Sequence, residues 1–138
     1  MTALSETGYY GFAFMLDKDW VFDNHMYTIS QFITSFKDWD CGSYHRQSSP
    51  TTMTFINGSE LFTRVRYGDI CLAETYKVLK VGTVVPGQWH TFVLGARWEK
   101  DKKGFFQVWF DGKEVLNKNH LATTLNIDHR YFVMRYLN

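Results

Sequence analysis

Arg64 and Arg66 stand two residues apart in a stretch with strand character, so alternation puts both on one face together with Phe62. A guanidinium presents a planar fork of donors that matches a carboxylate, and two of them on one face suit an anionic ligand. Gln31 lies between Ile29 and Ile33, and alternation reads it as the single amide on an otherwise apolar face. An amide N–H also donates to a carboxylate. Tyr27 and Trp109 offer flat rings for stacking on a sugar, although core packing is the ordinary fate of aromatics in a chain this rich in them. His25 precedes the Gln31 segment and His45 follows it, both placed to reach the rim of a cleft. His90, directly after Trp89, reads as structural. The five histidines, at 25, 45, 90, 120 and 129, show no metal-binding spacing. No Gly-x-Ser-x-Gly, phosphate loop or dinucleotide fingerprint is present, which leaves hydrolase, kinase and Rossmann readings without support. The residues point to recognition of a polar or anionic ring-shaped ligand.

Such side chains need strands to aim them. Candidate strands cover residues 8–16, 26–36, 52–56, 60–67, 76–85, 89–98, 104–110, 113–116 and 130–137, with turn signals between them. Asn57-Gly58 marks one hairpin, Asp111-Gly112 another, and Pro86-Gly87 a further turn. In residues 104–110, Phe106, Val108 and Phe110 share one face while Phe105, Gln107 and Trp109 share the other. In residues 89–98, His90, Phe92, Leu94, Ala96 and Trp98 oppose Thr91, Val93 and Arg97. One apolar and one mixed face per strand is the pattern of a two-sheet sandwich. No segment shows sustained helical periodicity.

The 138 residues amount to one domain, read here as continuous over 1–138, with 45% hydrophobic and 21% charged residues. That balance excludes a disordered chain. No apolar run approaches the roughly 20 residues of a membrane-spanning helix. Fifteen Lys and Arg against 14 Asp and Glu give +1, without the basic excess of a nucleic-acid binder. Aromatics make up 18%, which favours β structure with wide ring-lined surfaces. Two cysteines, Cys41 and Cys71, are too few for a disulfide scaffold or a zinc site and leave one bridge or two thiols open. The first residues have neither a basic nor an apolar leader region.

Residues 87–116, GQWHTFVLGARWEKDKKGFFQVWFDGKEVL, resemble the central hairpin of concanavalin-like jelly-roll polysaccharide lyases. Gly8-Tyr9-Tyr10-Gly11-Phe12-Ala13-Phe14, Ile29-Ser30-Gln31-Phe32-Ile33, Leu61-Phe62-Thr63-Arg64-Val65 and Leu121-Ala122-Thr123-Thr124 narrow the likeness to fungal glucuronan lyases, polysaccharide lyase family 20. The resemblance implies an all-β jelly-roll sandwich of two antiparallel sheets, partial here because family members are longer at both ends. It also implies endo-type β-elimination on β-1,4-linked polyglucuronate, an anionic polysaccharide partner and an extracellular setting. Gln31, Arg64 and Tyr136 match the family's catalytic positions, with Tyr136 as proton shuttle, and Arg66, His25, His45, Tyr27 and Trp109 are candidates for substrate binding. The cysteines fall where the family has cysteines, which implies a Cys41–Cys71 disulfide. The residues themselves call for no cofactor, while the resemblance implies a structural calcium, for which no ligand set is visible in these residues. The rival expectation is a lectin-like module that keeps the groove without the activity. Incomplete sheets would further expose edges through which the chain self-associates.

Overall fold

Alternating burial divides the chain into two layers. In β7 (Gly104–Phe110), Phe106, Val108 and Phe110 are buried while Phe105, Gln107 and Trp109 are not. β6 (His90–Arg97) likewise buries His90, Phe92, Leu94 and Ala96. The computed structural model describes residues 6–34, 49–68 and 75–124. The remaining strands in it are β1 (Thr7–Phe14), β2 (Met26–Thr34), β3 (Ser49–Asn57), β4 (Glu60–Tyr67), β5 (Thr75–Thr83) and β8 (Lys113–Leu121). They form two antiparallel four-stranded sheets, β1-β6-β7-β8 and β2-β3-β4-β5. This is the all-β two-sheet architecture that alternation predicts. The expected strand at 130–137 lies outside the described residues.

One core fills the space between the sheets. Phe92, Leu94, Ala96, Trp98, Phe106 and Val108 meet Phe32, Ile56, Leu61, Val65 and Val81 from the second sheet. Burying each large apolar side chain contributes about 1.5–3 kcal/mol. Phe32 of β2 crosses the gap to lie 4.9 Å from Tyr10 and 4.8 Å from Trp98, ring centre to ring centre. The buried Trp98 indole donates to the Tyr10 hydroxyl at 3.2 Å, so its polar edge is satisfied. These rings pin β2 to the first sheet at the residue next to Gln31.

Turn chemistry fixes the registers. Asp111 (φ 52°) and Gly112 (φ 78°) both take positive φ, as a type I′ hairpin requires. The Asn57-Gly58 hairpin is shifted by one residue from expectation. Asn57 pairs with Glu60, so Gly58 (φ 60°) and Ser59 form the loop, with glycine at the first central position as in a type II′ turn. Pro86-Gly87 occupies the centre of a turn closed by Gln88 N–H donating to the Val85 carbonyl. β8 extends to Leu121, five residues beyond its apolar stretch, because it pairs with β7 as far as Gly104.

His90 is structural, as its position suggests. It is 1% exposed; its Nε2 accepts from the Val85 N–H at 3.1 Å, which leaves the proton on Nδ1 for Asp111 Oδ2 at 2.9 Å. The other Asp111 oxygen accepts from the Thr91 N–H. One carboxylate thus ties the β7–β8 turn to the start of β6, and through His90 to the β5–β6 loop.

Candidate active site

The β2–β5 sheet has a second face, turned away from the core. On β4, Leu61, Thr63 and Val65 point inward, so Phe62, Arg64 and Arg66 share the outer side, as alternation predicts. Register then decides what lies beside them. Gln31 pairs with Met53, Met53 with Arg64, and Arg64 with Val78. Side chains of paired residues stand on the same face, so these four form one row across the sheet. Gln31 and Arg64 are two strand spacings apart, about 10 Å between backbones. Met53 lies between them as a buried apolar floor, its sulfur accepting from Thr28 Oγ1 at 3.5 Å.

The apolar face expected around Gln31 is a correction. β2 carries a bulge: Thr28 pairs with Phe55 and Ser30 with Thr54, so Ile29 is an extra residue. Ile29 belongs to the core and Phe32 points into it, whereas Gln31 turns outward. Simple alternation from Ile29 would have sent Gln31 to the wrong side.

Arg64 and Arg66 meet a third side chain there. Tyr76 of β5, paired with Arg66 in the ladder, has its ring centre 5.4 Å from Arg64 Cζ and 5.3 Å from Arg66 Cζ. Burial lowers the Arg64 pKa from its usual value, and Tyr76 acts in the opposite direction. The buried Nε of Arg64 has no hydrogen-bond partner among the described residues, an arrangement that typically costs about 1–3 kcal/mol. Arg66 is 5% exposed. The arrangement can hold an anion against a surface that is otherwise apolar. Met53 and Tyr76 escaped the sequence reading: alternation along β3 and β5 hints at their face, but only the register joins them to Arg64.

Other candidates lie elsewhere. Tyr27 pairs with Ile56, a core residue, and its ring packs edge-on against Trp20 at 5.0 Å, so it does not share the Arg64 face. Its hydroxyl donates to Asp23 at 2.7 Å and, with the His25 N–H, holds the Asp23 carboxyl below its usual pKa. His25 is exposed at the entry to β2, its Nδ1 3.3 Å from Asp23, and six residues or roughly 20 Å of strand from Gln31. Trp109 stands on the outer face of the opposite sheet, its ring 6.1 Å from that of Tyr9. Gln31, Arg64 and Arg66 therefore share one face of the sheet, and Tyr27, His25 and Trp109 do not lie on it. His45, Tyr136, Cys41 and Cys71 lie outside the described residues. No three His, Cys, Asp or Glu side chains converge among the described residues.

The polysaccharide lyase family model matches residues 1–136. The chain belongs to this polysaccharide lyase family. A crystal structure of endo-β-1,4-glucuronan lyase from the fungus Trichoderma reesei is similar to it, with 34% identity and a TM-score of 0.85. The similarity covers 93% of this lyase-family chain and 55% of the Trichoderma chain, so this chain spans about half the length of that enzyme. No curated protein matches.

Proposed function

We propose that the outer face of the β2–β5 sheet binds and cleaves a uronic-acid polysaccharide, and that the polymer is β-1,4-linked glucuronic acid, cut internally by β-elimination. The observation that carries this reading is the row from Gln31 over Met53 to Arg64, with Arg66 beside it. That the similar Trichoderma protein is an endo-β-1,4-glucuronan lyase supports the choice of polymer. A carboxylate at C6 of the sugar accepts from the Gln31 amide and the Arg64 guanidinium, which withdraws charge and acidifies the proton on the adjacent C5. A base removes that proton, the C5–H electrons form the C4=C5 double bond, and the C4–O bond breaks. The departing oxygen takes up a proton. Tyr136 is assigned both transfers on the resemblance of the Met134-Arg135-Tyr136-Leu137-Asn138 segment to the family's tyrosine-bearing strand. A polymeric substrate is met outside the cell, and the reading carries that setting with it.

The test is incubation of the purified chain with polyglucuronate while following the ultraviolet absorbance of the unsaturated uronate. A rising trace is expected. A flat trace from protein that still binds the polymer overturns cleavage and leaves a binding module. A flat trace without binding overturns the reading of the face altogether.

A further inference from the structure

Two arginines at alternate positions of a strand sit about 7 Å apart along it, and like charges at that distance push their side chains away from each other. On β4 both guanidiniums instead lie within 5.4 Å of one ring. Tyr76 is 54% exposed and stands on β5, the outermost strand of its sheet among the described residues, so little of the core depends on it. Its ring face attracts both cations through the quadrupole, without consuming the N–H donors as a carboxylate partner would. Arg64 is therefore held from the side by the ring.

We propose that Tyr76 is a positioning residue: its ring, shared with Arg66, holds Arg64 over the sheet, so that the Arg64 guanidinium is set in advance for a uronate carboxylate. The inference rests on the reading of this face as a uronate site, and it assigns the work to the aromatic ring. The phenol hydroxyl has no part in it. The carboxylate that Arg64 holds takes up charge as C5 loses its proton, so a ring that sets Arg64 acts on kcat as well as on KM.

The experiment compares Tyr76→Leu and Tyr76→Phe with the parent chain in polyglucuronate kinetics, in equilibrium titration with polyglucuronate oligomers, and in thermal unfolding. Tyr76→Leu should raise KM and the dissociation constant about two- to fivefold, the order of one cation–π contact to Arg64. Its kcat should fall as well, by less than in Arg64→Ala, while its melting temperature stays close to the parent's. Tyr76→Phe, which keeps the ring, should restore the parent affinity. The arginine Nε–H resonances give a readout that needs no ligand: Tyr76→Leu should remove their ring-current shift and Tyr76→Phe should retain it. Parent-like affinity in Tyr76→Leu overturns the positioning role and leaves the uronate site intact. A phenylalanine variant as weak as the leucine variant also overturns it, since the hydroxyl would then be the active part. A parent chain that binds no polyglucuronate overturns the proposed function, and the positioning role falls with it.

Discussion

Arg64 stands on a strand whose other side is the protein core, and this decides what its removal does. Its neighbours Thr63 and Val65 hold the strand in place, so truncating the outward side chain opens no cavity between the sheets. Gln31 is in the same position, since Phe32 carries the packing of β2 against Tyr10 and Trp98. Gln31→Ala and Arg64→Ala should each lower turnover of polyglucuronate about 10²–10³-fold, the usual effect of losing one donor from a preorganised site. Their stability should stay within about 1 kcal/mol of the parent's, measured by denaturant unfolding. Arg64→Lys should recover only part of the rate, because one ammonium does not reproduce the two-pronged contact. Equal losses of rate and stability in the alanine variants would make these residues structural.

At the scale of elements, the Asp111 turn bears more than its own hairpin. Its carboxylate accepts from the His90 ring and the Thr91 N–H, so removing it strands a buried imidazole donor. Asp111→Ala should destabilise the fold by about 1–3 kcal/mol. Asp111→Asn should lose less, since asparagine tolerates positive φ and keeps a carbonyl for His90. The two melting temperatures check this ordering. How far the elements were legible follows the same physics. β4 and β7 have the bounds that alternation gives, because β7 buries every second residue throughout and β4 does so as far as Val65. The Arg64-x-Arg66 pairing on one face was readable for that reason. The face of Gln31 was not, because a bulge adds a residue to one strand without any mark in composition. Tyr76 was hidden for a different reason: its nearness to both arginines depends on the pairing of β4 with β5, and register between strands is not written in either one alone.

At the scale of the molecule, β5 and β2 bound one sheet among the described residues and β1 and β8 the other. Tyr76 and Val78 stand exposed on β5. A strand rim with apolar side chains beside it favours pairing with another chain, so self-association at micromolar concentration is expected in light scattering. Val78→Lys should shift the population toward monomer, and a parent chain that is monomeric throughout would refute the expectation. The layout of the sheets has one more consequence. β2 to β5 form a sheet of sequence neighbours, yet that sheet interrupts the other, because β1 pairs with β6. During synthesis β1 emerges first and its partner about eighty residues later, roughly 4–16 s at ribosomal speed. For that interval the segment Tyr9-Tyr10-Gly11-Phe12-Ala13-Phe14 has aromatic side chains and no β6 to pair with. It is the part of the nascent chain that a chaperone would be expected to hold.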